Sequence, residues 1–234
     1  IIALFDEMEQ GIRGGRSAGS LRVGASITIG SYLLPGYIKA LKEEFPTLKV
    51  QAAVGNSGTI EQKLLENEID IGIIEGTIHS PYIQCETFPG DKLIFICPPD
   101  HPFAKKTLGS AECLVGQEMI LREKGSASRE IFEGILAARE ISVQPLWESV
   151  SNQVLLEGVK AGLGLSLLPN YLVRAGLEAG EISKFSIRGL ELARKFSIIY
   201  HKNKFLTREA QTLIGMVISG NGRRGNDGNK EKSL

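Results

Sequence analysis

From Leu21 onward, short apolar runs alternate with segments whose apolar residues recur every three or four positions, and this order limits the fold more than any other feature of the chain. Leu21–Ser26 has the length of a strand. Ile29–Phe45 places Leu33, Leu34, Tyr37, Ile38, Leu41 and Phe45 on one helical face, with Pro35 tolerable only near the first turn. Leu48–Val54 alternates as a half-buried strand, Thr59–Asn67 turns Ile60, Leu64 and Leu65 inward as a helix, and Asp70–Ile74 is a buried strand. A βαβαβ order predicts a mostly parallel sheet with helices on both faces.

The pattern then changes. Two strands are expected at Ile83–Phe88 and Lys92–Cys97, with Pro89-Gly90 as the turn between them. Pro98-Pro99-Asp100-His101-Pro102 interrupts the periodicity and predicts a crossover to a second α/β set. That set comprises strands at Glu118–Leu121, Pro145–Val150 and Leu165–Leu168 and helices at Ser128–Ala138 and Asn152–Ala161. A strand near Phe196–His201 and a helix near Thr207–Ile218 close the fold. Ahead of all this, residues 1–14 have the spacing of a helix end, and residues 14–20 that of a flexible linker. Residues 220–234 are too polar to join a core and predict a disordered tail.

Charge and composition narrow the function. The 234 residues carry 27 basic and 27 acidic side chains. A module that gripped DNA by itself would concentrate bases against phosphates, so tight nucleic-acid binding by this chain is not expected. No apolar run is long enough to span a bilayer, and the acid-interrupted start is not a signal peptide. Three widely spaced cysteines, Cys85, Cys97 and Cys113, suggest no disulfide framework and fit a reducing cytoplasm; redox sensing by Cys85 and Cys97 is the alternative to plain core packing. The absence of an initiator Met predicts a fragment of something longer.

Small polar residues gather where strands end and helices begin: Ser26-Ile27-Thr28, Gly55-Asn56-Ser57-Gly58-Thr59, Gly125-Ser126-Ala127-Ser128 and Ser149-Val150-Ser151-Asn152. Helix starts present unpaired N–H groups and a positive dipole end. In open α/β sheets ligands bind beyond the carboxyl ends of the strands, so four such openings suit one small anion. Each opening taken alone has the simpler reading of an N-cap. Arg122 and Lys124 flank the third opening, as a source of charge for an anion or as ordinary surface bases. Catalytic machinery is hard to find. His79, His101 and His201 have no metal-ligand spacing, Gly162-Leu163-Gly164 stands between helix and strand in the wrong order for cradling phosphate, and nothing pairs Glu75 with Glu148 as acid and base. No cofactor is expected.

Several segments together resemble the regulatory domain of LysR-type transcription regulators. They are Leu21-Arg22-Val23-Gly24-Ala25-Ser26 leading to Leu33-Leu34-Pro35; Phe45-Pro46; Leu64-Leu65-Glu66-Asn67-Glu68-Ile69-Asp70-Ile71-Gly72-Ile73; Pro99-Asp100-His101-Pro102-Phe103-Ala104; and Val159-Lys160-Ala161-Gly162-Leu163-Gly164-Leu165-Ser166-Leu167-Leu168-Pro169. The resemblance covers roughly residues 21–219 and implies an α/β fold of two Rossmann-like lobes around a central cleft, like type-2 periplasmic binding proteins. It supplies part of the lobe division: residues 21–97 with 200–219 as lobe I and 98–199 as lobe II. By position it implies effector contacts at Ser26 and Thr28, with Ser57 and Thr59 in the next loop and Gly125 and Ser126 facing them. It further implies a small anionic effector, a homodimer that becomes a tetramer in the full-length protein, and DNA binding only through an N-terminal winged helix-turn-helix that this chain lacks. A transport solute-binding protein and an enzyme on the same bilobal scaffold remain the alternatives.

Overall fold

A computed structural model describes residues 19–190 and 192–220. The helix expected at 1–14, most of the linker expected at 14–20 and, apart from Gly220, the tail expected at 220–234 lie outside the described residues. The strands are β1 (Ser20–Ser26), β2 (Lys49–Gly55), β3 (Ile71–Glu75), β4 (Ile83–Cys97), β5 (Thr107–Leu108), β6 (Met119–Arg122), β7 (Pro145–Ser149), β8 (Ser166–Pro169), β9 (Ser183–Ile187) and β10 (Ala193–His201). The α-helices are α1 (Ile27–Tyr32), α2 (Leu34–Glu44), α3 (Ser57–Leu65), α4 (Ala127–Ala137), α5 (Asn152–Lys160), α6 (Asn170–Glu178) and α7 (Arg208–Ser219).

The first lobe begins as expected, with β1 parallel to both β2 and β3. Its remaining neighbours are antiparallel: β10 pairs β3 on one side and β4 on the other. The sheet is therefore mixed rather than mostly parallel. Leu21, Val23 and Ala25 of β1 alternate onto one face, where Tyr37 and Leu41 of α2 and Leu213 and Val217 of α7 cover them. The opposite face takes Ile60 and Leu64 of α3. Gly24 and Gly72 make that contact close, because a Cβ at either would stand 3.0 Å from the Cγ2 of Ile60. Ile60 is wholly buried, and truncating such a side chain to Ala costs roughly 2–5 kcal/mol.

The helix expected over Ile29–Phe45 is two helices broken at Leu33. Pro35 lies in the first turn of α2, where its missing N–H is harmless, and a proline disfavours helical geometry in the residue before it. The turn expected at Pro89-Gly90 is absent, and β4 runs straight through it. The reason lies in its partner. β10 has a register irregularity between Ala193 and Lys195, opposite these two residues. A Cβ on Gly90 would fall 2.1 Å from the Arg194 carbonyl oxygen, so only glycine allows the strands to approach so closely.

β4 and β10 run between the lobes. β4 pairs β10 from Ile83 to Lys92 and then turns to β8 and β9 from Leu93 to Cys97. In the second lobe β6 is parallel to β7 and joins β8 through the Met119–Leu165 bridge. Phe95, Phe132 and Phe185 centre one core layer there, and Leu155, Leu168 and Val173 the other. α6, β5 and β9 were not expected, although the strict buried-exposed alternation of Ser183–Ile187 suits a strand. Gly220 ends α7 in the left-handed conformation, with φ +72°.

Candidate functional site

Three of the four helix openings line one cleft, those after β1, β2 and β6, while the opening of α5 is not among its lining residues. Ser26 closes β1, Ser57 opens α3, Ser126 precedes α4 and Ser151 precedes α5. The facing walls are already in contact. The Gly58 N–H donates to the Gly125 carbonyl at 3.2 Å, and Asn56 Nδ2 donates to Glu123 Oε1 at 3.1 Å. The space left between them is about 10 Å³, the scale of a single water.

Of the residues expected to touch an effector, Ser26, Thr28, Ser57 and Ser126 line this space. Gly125 stands beside it, in the contact between the walls, with φ +85°. Thr59 is exposed and outside it, its N–H given to the Asn56 cap at 2.8 Å. Arg122 also lines the cleft, but Lys124 is exposed and does not.

The helix-opening side chains divide by use. Asn56 Oδ1 accepts from the Thr59 N–H, Ser126 Oγ from the Arg129 N–H and Ser151 Oγ from the Val154 N–H. These three cap their own helices, which was the simpler reading of each. Ser26 is different. It is 1% exposed, makes no side-chain cap bond, and its Oγ has no partner. Leaving a buried polar group unpaired costs about 1–3 kcal/mol.

The charged floor was largely missed by sequence reading. Glu75 ends β3 and is 4% exposed. Its Oε2 accepts from Ser57 Oγ at 3.3 Å, while its Oε1 has no hydrogen bond and lies 3.7 Å from Arg194 Nη1. Arg194 donates twice to Asp91, both at 2.7 Å, and once to Ser128 Oγ at 3.3 Å. Burial pushes the Asp91 carboxyl up from its ordinary value; Arg194 opposes this and the nearby Glu75 adds to it. Arg122 makes a two-pronged pair with Glu123 and donates to Asn152 Oδ1 at 2.9 Å. In the sequence Arg194 is simply one of two adjacent bases, with Lys195, at the start of the last strand.

At the cleft edge His79 Nδ1 sits 3.1 Å from Glu61 on its own wall, and its Nε2 is 4.0 Å from Glu130 on α4 opposite. The hydrogen bond to Glu61 and the charge of Glu130 raise the His79 pKa above 6.5 against slight burial. Cys97 is buried, and burial with the neighbouring Asp100 charge pushes its thiol up to about 11, the opposite of what a redox-reactive cysteine needs. Among the described residues no three acids, cysteines or histidines are placed to hold a metal. No helix among them is long and apolar enough to cross a membrane.

Comparison with known proteins gives a consistent result. The LysR substrate binding domain family matches residues 14–221. The uncharacterized HTH-type transcriptional regulator YeiE of Escherichia coli K12 is 33% identical over 208 residues, covering 89% of this chain and 70% of that protein. The HTH-type transcriptional regulator CysL of Bacillus subtilis is 31% identical over 201 residues, covering 86% and 67%. Among solved structures, the CcmR regulatory domain of Synechocystis in complex with 2-PG superposes with a TM-score of 0.78 at 22% identity, covering 86% of this chain and 97% of that one. The effector binding domain of QuiR in complex with shikimate gives 0.75 at 16% identity, covering 89% and 99%.

Proposed function

The chain belongs to the LysR substrate-binding domain family and is the effector-binding part of a LysR-type transcription regulator; from that premise we propose that its effector is a small anion carrying its own hydrogen-bond donor, enclosed between the lobes. The observation that carries this reading is the pair of buried atoms facing the cleft that make no hydrogen bond, Ser26 Oγ and Glu75 Oε1, the latter with only its 3.7 Å ion pair to Arg194. A hydroxyl can donate or accept, but a carboxylate oxygen only accepts. The ligand must therefore donate to Glu75. It also places acceptors before the N–H ends of α3 and α4.

Charge sharpens the choice. The guanidiniums of Arg122 and Arg194 stand among the carboxylates of Glu75, Asp91 and Glu123. Two bases against three acids disfavour a bare dianion. A hydroxy acid, an amino acid or a singly protonated oxyanion fits better. Of the six residues expected from sequence, Ser26, Thr28, Ser57 and Ser126 are the proposed contacts. Gly125 and Thr59 support the walls instead.

The lobe division, residues 21–97 with 200–219 against 98–199, has β4 changing partners from β10 to β8 between Lys92 and Leu93, near the first crossing. Binding without turnover shifts the balance of lobe geometries by the ligand's affinity difference between them, about 1.4 kcal/mol per tenfold. In the proposed setting this occurs in the cytoplasm, in a homodimer that assembles into a tetramer, with DNA held by an N-terminal winged helix-turn-helix of the parent protein. The test is a thermal-shift screen of this chain against sulfate, thiosulfate, O-acetylserine and small hydroxy carboxylates. A saturable rise with a donor-bearing anion, reduced in Ser26→Ala and in Glu75→Gln, is expected. A rise that survives both changes places the effector elsewhere.

A further inference from the structure

A second hollow, with no lining residue in common with the cleft, lies in the second lobe beside β4 and β9. The β4–β9 ladder ends at the Phe95–Phe185 pair, and no further pairing joins these strands toward Leu93 and Ile187. Leu93 gives its N–H instead to the Leu192 carbonyl at 2.9 Å. On its far side β9 holds β5 through Ser186 and Ile187. The hollow opens where the strands part, with a volume of about 580 Å³, within the range of small-molecule sites.

Its lining combines two chemistries. Leu93, Phe95, Phe185 and Ile187, members of the second lobe's core, form an apolar part together with Leu190 and Leu192. Lys92, Lys105, Lys106 and Lys184 line it as well, all exposed. Among the described residues no aspartate or glutamate lines the hollow, and none of the four lysines is ion-paired. Four lysines beside an apolar base make the hollow basic as well as apolar. A basic surface for a nucleic-acid backbone needs no apolar concavity, whereas a small ligand with a hydrocarbon body and an acidic head matches both features.

We propose that this hollow is a second ligand site, taking an amphipathic monocarboxylate with an aryl or short alkyl body. Its position gives it a regulatory consequence. Lys92 and Ala193 line it, and they are the cross-strand pair at which β4 and β10 pass between the lobes, next to the irregularity at Ala193/Lys195. A ligand bound there contacts both connecting strands and biases the lobe geometry that the cleft also controls. The site stands independently of the effector reading.

Calorimetric titration of this chain with phenylacetate, phenylacetamide and acetate tests it, with amide NMR shifts to locate binding. Phenylacetate should bind saturably and more weakly as salt rises. Removing the charge or the ring should weaken binding by about tenfold or more, and Lys105→Glu with Lys184→Glu should do the same. Both lysines are exposed, so the double variant should fold, and its far-UV circular dichroism verifies that. Shifts should cluster at residues 92–95, 105–107 and 184–187. The absence of saturable binding up to about 10 mM phenylacetate, equal binding of the amide, or shifts confined to Ser26, Ser57 and Ser126 would each overturn the proposal. So would a short DNA duplex that binds the same face and displaces phenylacetate, since that marks a polyanion surface.

Discussion

Ser26 and Ser126 face each other across the cleft, each the residue before a helix, each buried, yet their hydroxyls do different things. Ser126 accepts the Arg129 N–H and holds the start of α4. Ser26 bonds nothing in its own helix, and its oxygen is unpartnered. The same residue type at the same kind of position is thus a stability device on one wall and an unmet valence on the other. A buried unmet valence costs folding energy, so its natural complement is something not in the chain. Glu75, on the Ser26 side, repeats the pattern in part: its Oε1 makes no hydrogen bond and has only the 3.7 Å ion pair to Arg194.

The sharpest challenge to this contrast is Arg194, which reaches both walls: Asp91 and Glu75 on one side and Ser128 of α4 on the other. Arg194→Met leaves Asp91 buried and unpaired. A loss of about 3–5 kcal/mol in denaturant unfolding is expected, with effector response abolished. A loss under about 1 kcal/mol would mean that the wall is held some other way.

The serines themselves come next. Ser126→Ala should cost about 1 kcal/mol through the lost cap. Ser26→Ala should be neutral or slightly stabilising without ligand, because it removes a buried hydroxyl with no partner. Urea unfolding of the two variants separates these outcomes.

A smaller effect concerns closure. His79 bridges Glu61 and Glu130 when protonated, and its pKa is raised in the folded protein. Its contribution is complete below the unfolded value near 6.5 and is lost as pH rises through the higher folded value. His79→Gln should lower the melting temperature by a near-constant amount below about pH 6.5 and remove the fall that the parent shows as pH rises above it. The side chain is 59% exposed, so the effect is small. Thr59→Val should do least. Its side chain is exposed and its cap bond is made by the backbone, so both stability and effector response should stay within about 0.5 kcal/mol of the parent.

What the sequence revealed follows from how local each feature is. The opening βαβαβ order rests on periodicity within single segments, and it stands, apart from the break at Leu33 that Pro35 causes. Pro89-Gly90 has the composition of a turn, and only the irregularity in β10, about a hundred positions away, accommodates it inside a strand. The helix starts were visible as Ser and Asn clusters, but capping and ligand contact use the same residues, so Ser26 and Ser126 look alike until their partners are placed. The Asp91–Arg194 pair spans 103 positions and leaves no short-range trace.

The most direct test of the contrast is isothermal titration of Ser26→Ala and Ser126→Ala with the anion that raises the melting temperature of the parent chain, alongside their melting temperatures without ligand. The account predicts that Ser26→Ala melts no lower than the parent yet binds at least about tenfold more weakly, whereas Ser126→Ala melts lower. If Ser26→Ala instead melts lower and binds as tightly as the parent, its hydroxyl is structural and the cleft reading is wrong.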